Sequence, residues 1–278
     1  MTKGVGCKVL LGSVWETATI EAIYTAGDRH DITVAFPDGR LMRIEYDERD
    51  PEPKIKAIDN LTVEEIVELY QAINTEAMAA GERGQFESAI EMFTRAINLS
   101  PNAPLAYYHR GSMKLAIDDN DGAHNDFSVC IVLNPDATGA LRNRAILYLR
   151  RGLMEYQEAL DDINTALALT KGMDLYETRG AVHVKMQNYT DAIKDFTSAL
   201  RLSDDERDTI HILMNRAAVY ALCGDSESAY RDYHRVTQAD PLAYQAWIKM
   251  SDLASKMNRP RQAWLDRFAA ERCKISLN

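Results

Sequence analysis

The chain has little of what several function classes require. Only four cysteines occur among its 278 residues, Cys7, Cys130, Cys223 and Cys273, and none sits in a C-x-x-C pair. Neither zinc-ligand spacing nor a dense disulfide framework is present, so reduced structural thiols are expected. No run approaches the roughly 18 apolar residues of a membrane span, and the opening "MTKGVGCKVL" lacks the apolar core of a secretion signal. Basic residues are the minority, 32 against 42 acidic, which leaves a net charge of −10. That balance argues against a broad phosphate-binding surface, which needs clustered Lys and Arg. A soluble cytoplasmic protein with neither nucleic acid nor membrane as partner is expected, with a cilium, the cytoskeleton or the nucleus left open.

Catalytic signatures are missing as well. The histidines are His30, His109, His124, His183, His211 and His234; they are scattered, and there is no H-E-x-x-H and no P-loop. The stretch "DDNDG" looks calcium-like, but Ile117 falls on the first ligand position that Gly122 would define. A turn between helices explains it better. No catalytic residue, no metal ligand and no cofactor are expected, and the chain reads as a non-enzyme.

What is present is a repeat. The stretch "FESAIEMFTRAINLSP" at 86–101 is echoed by "DGAHNDFSVCIVLNP", "YQEALDDINTALAL", "NYTDAIKDFTSALRL", "SESAYRDYHRVTQADP" and, more weakly, "PRQAWLDRFAAERC". A small residue opens each copy: Ala89, Ala123, Ala159, Ala192, Ala229 and Ala263, at intervals of 34, 36, 33, 37 and 34. Four residues on stand Phe93, Phe127, Ile163, Phe196, Tyr233 and Arg267; three further on, Ala96, Cys130, Ala166, Ala199, Val236 and Ala270. Helical stretches such as "LAYYHRGSMKLAI" and "IHILMNRAAVYALCG" precede the copies and bring small residues of their own, Gly111, Ala145, Gly180 and Ala217. Each unit therefore reads as helix, short turn, helix. Small residues on facing sides let two backbones approach, the aromatic fills the groove beside them, and proline after some copies stops the second helix.

This pattern resembles the tetratricopeptide repeat over roughly residues 62–278. The resemblance implies an α-solenoid of about six helix pairs spanning 61–278, the last one capping. In that last unit Arg267 stands where the aromatic belongs, and Phe268 beside it could substitute. Function would then reside on the concave face, lined by the first helix of each unit, where a peptide or helix of another protein would lie. The candidates are Asn74 and Met78 on the first such helix, Tyr108 and Ser112 on the second, and Arg142, Asn143 and Ile146 on the third. Glu177 follows on the fourth, Met214 and Asn215 on the fifth, and Ile248 and Lys249 on the sixth. Some members of this family hold the acidic tail of Hsp70 or Hsp90 in a carboxylate clamp. Asn143 and Asn215 match its central asparagine, but Tyr108, Ser112, Glu177 and Ala181 stand where its other groups belong, and Glu177 would repel a carboxylate. The N-R-A runs read better as helix-packing residues with a polar contact.

Residues 1–60 lack the helical period. Strand-length runs rich in β-branched and aromatic residues alternate with turn signals "AGDR" and "FPDGR", which suggests a small five-stranded SH3-like β-barrel. Its spacing resembles the Tudor type, in which aromatics cage a methylated lysine or arginine through cation–π attraction. Trp15 and Phe36 match cage positions, Asp38 stands where a tyrosine is usual, and Tyr24 could contribute. The expectation is a mainly α interaction scaffold, part of a larger complex, with the barrel as a second contact. A methyl-mark reader, a co-chaperone and a structural part of a cilium or cytoskeletal assembly are the alternatives.

Overall fold

The computed structural model describes residues 6–11, 14–26, 29–35, 41–47, 54–57, 63–151 and 155–276. Five strands come first: β1 (Gly6–Leu11), β2 (Val14–Ala26), β3 (Arg29–Ala35), β4 (Leu41–Asp47) and β5 (Lys54–Ala57). They pair antiparallel in sequence order. The β2–β3 register slips once, between Ile20 and Ala22. Beyond the slip Tyr24 pairs Asp31, while before it Thr19 pairs Ala35. Asp31 and Ala35 share one face of β3, so the extra residue puts Trp15 and Tyr24 on the same face of the sheet. Val34, which is buried, belongs to the other face.

Twelve helices follow among the described residues: α1 (Val63–Glu82), α2 (Phe86–Leu99), α3 (Pro104–Ala116), α4 (Asn120–Leu133), α5 (Thr138–Arg151), α6 (Tyr156–Leu169), α7 (Met173–Lys185), α8 (Tyr189–Leu202), α9 (Glu206–Leu222), α10 (Ser226–Ala239), α11 (Tyr244–Lys256) and α12 (Pro260–Ser276). Packing divides the chain into two compact units, Met1–Ala123 and His124–Asn278. In the first, α1 packs on α2 and α2 on α3; in the second, each helix from α5 to α12 packs on the next.

The turns inside the helix pairs obey one rule. Gly84, Asp118, Gln187, Gly224 and Asn258 have φ between 57° and 81°, the left-handed region. Each stands five residues before its unit's small residue. The following amide closes a bond to the carbonyl five back: Gln85 to Ala80, Asp119 to Lys114, Asn188 to His183, Asp225 to Tyr220 and Arg259 to Ala254, all at 2.8–2.9 Å. This is the Schellman closure of a helix C-terminus, and Gly, Asn and Asp tolerate its left-handed residue best. The turn thus satisfies the last carbonyls of the first helix and reverses the chain within a few residues.

The small residues do what their spacing predicts. Ala89, Ala123, Ala159, Ala192 and Ala229 are fully buried, and Ala263 is nearly so. Phe93, Phe127, Ile163, Phe196 and Tyr233 are buried beside them. A Cβ on Gly180 would meet the Phe196 ring at 3.0 Å, so the glycine is what lets α7 approach α8. The last unit departs from expectation. Phe268 does not replace the missing aromatic: it is 52% exposed and stacks on Trp264, because the helix turns this position away from α11. Arg267 is exposed and reaches Asp252 at 3.6 Å.

Candidate protein-binding face

All twelve predicted groove residues lie on first helices of the pairs. In the first unit, Asn74 Nδ2 donates to the Tyr70 carbonyl one turn back at 2.8 Å, while its Oδ1 is buried with no hydrogen-bond partner. Met78 packs on the cluster of Ala77, Ala80, Ala89 and Phe93. On α3 the Ser112 hydroxyl donates to the Tyr108 carbonyl at 3.0 Å, and the Tyr108 ring meets His109 edge-on at 5.2 Å.

In the second unit the first helices are linked by charged side chains. From α5, Arg142 Nε lies 3.1 Å from Asp174 Oδ2 on α7; the approach is off the donor direction, so this is an ion pair rather than a hydrogen bond. Arg142 also reaches Asn143 Oδ1 at 3.4 Å. From α9, Asn215 Nδ2 donates to Glu177 Oε1 on α7 at 3.1 Å, and His211 Nδ1 lies 2.6 Å from the same oxygen. The amide that a carboxylate clamp would offer to a ligand is therefore committed to the protein's own carboxylate. Ile146 is half-buried, and Met214 packs against the core around Leu213 and Met250.

The α9–α11 end of this face is different. Ala218, Ala221 and Leu222 of α9, Tyr233 of α10 and Lys249, Asp252, Leu253 and Lys256 of α11 line a cavity of about 350 Å³. Leu222 is 61% exposed at its rim. Burial pushes the Tyr233 phenol up, which keeps it neutral there. Lys249 and Lys256 are two helical turns apart on one side of α11, and both are exposed. The cavity's apolar residues and two ammonium groups, set against the one carboxylate of Asp252, which faces Arg267 at 3.6 Å, can take an apolar side chain together with an acidic neighbour. Of the residues that line this cavity, the sequence expectation included Lys249 and not Lys256, Leu222 or Leu253. The spacing of seven between the two lysines was the available signal.

Behind the face runs a second pattern. Arg144 forks onto Asp162 (2.8 and 2.7 Å) and reaches Ser128 on the preceding pair at 3.1 Å. Arg179 does the same with Asp195 and Asn164, and Arg216 with Asp232 and Thr197. A tyrosine ring lies under each guanidinium: Tyr148, Tyr176 and Tyr220. These are the arginines of the N-R-A runs and their equivalents, and the polar contact expected of them is a ladder that ties each pair to the one before. The bonds to Asp162 and Asp195 hold Arg144 and Arg179 well into the charged state; burial opposes the charge of Arg216, and Asp232 outweighs it. The ladder stops at the last pair. There Met250 takes the arginine position, and the buried Asp266 accepts from the Tyr230 hydroxyl at 3.0 Å and from Gln262 at 2.8 Å.

Of the cage candidates, Trp15 and Tyr24 stand on β2, while Phe36 and Asp38 lie outside the described residues. No group of three or more His, Cys, Asp or Glu side chains that could hold a metal occurs among the described residues, and no described helix is long and apolar enough to cross a membrane.

Residues 82–115 match the family profile described as TPR repeat. Human tetratricopeptide repeat protein 6 is 28% identical over 175 residues, 60% of this chain and 32% of that protein. Hsc70-interacting protein 1 of Drosophila melanogaster is 29% identical over 120 residues, 43% of this chain and 31% of that protein. The chain spans about a third of the length of several curated relatives it matches. Among solved structures, YrrB, a TPR protein with an unusual peptide-binding site, superposes with a TM-score of 0.56 at 21% identity, over 65% of this chain and 91% of that one. The helical part has the tetratricopeptide-repeat fold, an architecture that in general mediates protein–protein interaction.

Proposed function

We propose that the chain is a non-enzymatic adaptor whose second unit binds a peptide or helical segment of another protein on its first-helix face. The observation that carries this reading is the cavity between α9 and α11, apolar at its floor and crowned by Lys249 and Lys256. A bound segment would place an apolar side chain over Ala218, Leu222 and Leu253 and a carboxylate near the two ammonium groups. The rest of the face, from Arg142 to Asn215, is already internally paired and would supply shape and hydrogen bonding at its edges. The peptide-binding site of YrrB lends the fold a precedent for such a ligand.

Selection of a random peptide library on the full chain tests it. Enriched peptides should carry an acidic residue next to a large apolar one, and Lys249→Glu should abolish their binding. Enrichment of basic or purely polar peptides, or indifference to Lys249→Glu, would count against it.

The N-terminal residues 1–60 are proposed as a Tudor/SH3-like barrel that adds a second weak contact, so that two sites reinforce each other within a larger assembly. The shared face of Trp15 and Tyr24 on β2 supports an aromatic cage there. A trimethyl-lysine peptide that binds wild type and Trp15→Ala alike would end that part of the reading. The likeness to an Hsc70-interacting protein favours a co-chaperone role as the alternative; the Glu177–Asn215 bond speaks against it.

A further inference from the structure

In every pair before the last, one side of the second helix is covered by the first helix of the next pair. The residue five past the small alanine marks this side. Thr94 accepts from Arg110 of α3, Ser128 from Arg144 of α5, Asn164 from Arg179 of α7 and Thr197 from Arg216 of α9. The residue one past the alanine shares it: the His124 ring meets Tyr148 of α5 at 5.3 Å. On α12 these two positions are Trp264 and Phe268.

A helix side that no neighbouring helix covers is ordinarily polar. Here Trp264 is 63% exposed, Phe268 52% and their neighbour Leu265 43%. The two rings stack, with centroids 5.5 Å apart and planes 11° apart. The hydroxyl or amide that greets an arriving arginine elsewhere is absent, so an arginine-bearing first helix of the internal kind would find no acceptor. The surroundings are basic. Arg261 and Leu265 border a cavity of about 430 Å³ at the start of α12, together with Arg259 and Pro260. Arg261, Arg267, Arg272 and Lys274 lie along the helix against Asp266, which is buried, Glu271, and Asp252 of α11, which faces Arg267. This is a local positive strip on a chain whose net charge is −10.

We propose that the outer side of α12 is a docking site for an amphipathic, acidic helix of a partner protein, packed where the first helix of a further repeat would lie. The apolar stripe of the incoming helix covers the Trp264–Phe268 stack and Leu265, and its carboxylates face Arg261 and the basic residues of α12. Charge decides between this occupant and a second copy: two α12 helices laid together would oppose like charges along their length. Exposed aromatics in a stacked pair flanked by arginine are the composition that dominates binding energy at protein interfaces.

The test uses the full chain and three model peptides of equal length: a Leu-striped helix with Glu on its polar face, the same helix with Lys in place of Glu, and a scrambled Leu/Glu sequence. Titration calorimetry should show binding of the Leu/Glu helix, weaker binding of the Leu/Lys helix by about tenfold or more, and none of the scramble. Trp264→Ser with Phe268→Ser should weaken the Leu/Glu helix by about tenfold or more. The titrations are made in the Lys249→Glu background, which removes binding at the α9–α11 cavity, and there Arg261→Glu, at an exposed position, should weaken the Leu/Glu helix severalfold. Equal affinity for both charge patterns, no binding, or insensitivity to the Trp264/Phe268 pair overturns the proposal. So does a dimer in sedimentation that those substitutions dissolve, since the second copy would then be the occupant.

Discussion

Arg216 of α9 holds Asp232 of α10 in a two-pronged grip, Nε to Oδ2 at 2.7 Å and Nη2 to Oδ1 at 2.8 Å, with only 13% and 7% of the two side chains exposed. A third bond, from Nη1 to Thr197 at 2.9 Å, carries the same guanidinium to the preceding pair. One side chain thus fixes the two helices of its own unit and the spacing to the neighbour.

Removing one partner of such a pair strands the other charge away from water. Arg216→Met should lower stability by about 3–5 kcal/mol in urea unfolding, whereas Arg216→Met with Asp232→Leu should recover most of the loss. The chain contains a natural precedent for the first half of that swap, Met250 at the equivalent position of α11, where Asp266 is satisfied by neutral donors instead. A double variant no more stable than the single one would mean that the grip itself, and not the stranded charge, carries the energy.

Gly180 should tolerate no side chain. Its Cβ would lie 3.0–3.2 Å from three atoms of the Phe196 ring, which is itself buried. Gly180→Ala is expected to cost about 1–3 kcal/mol by overpacking. Pairing it with Phe196→Leu should cost less than the sum of the two single changes, because the ring that clashes is gone. Thermal melts of the four proteins give the cycle.

Acidification should weaken the first unit through His109. Its ring stacks on the buried Phe93 at 5.6 Å, and burial lowers its pKa from 6.5. In the window from 6.5 down to the depressed folded value the unfolded chain binds more protons than the folded one, so stability falls as the pH falls. His124 is shifted in the same direction, by burial first and then by Arg151 and Arg144. His109→Gln should flatten the loss of melting temperature between about pH 7 and pH 5. A slope unchanged by that substitution would assign the acid sensitivity elsewhere.

The helical repeats were legible because their signal is local and recurs. Ala192, Phe196 and Ala199 lie on one helix, and the same three positions can be checked six times along the chain. The arginine ladder was half legible. The N-R-A runs drew attention to Arg144 and Arg216, but their partners lie 16 to 18 residues on, and only the stacked geometry shows which aspartate each one meets. The cavity by α9 was harder, since Leu222, Tyr233 and Leu253 come from three helices and no periodicity joins them. Phe268 shows the opposite error: next to an expected aromatic position in sequence, it points about 100° away around the helix, onto the outer side. Turn chemistry was readable at Gly84 and Gly224; Gln187 takes the same left-handed conformation with no residue-type cue.

The central claim is that the first-helix face of the second unit, near α9 and α11, is where a partner peptide lies. A photo-crosslinking amino acid at the exposed Ala218 of that face, and in a second protein at the exposed Ala168 of α6, tests it most directly with a peptide obtained by selection on the full chain. The account predicts a covalent adduct from position 218, lost on addition of unlabelled peptide or with Lys249→Glu, and none from position 168. Adducts from 168 alone, or from both positions equally, would contradict it.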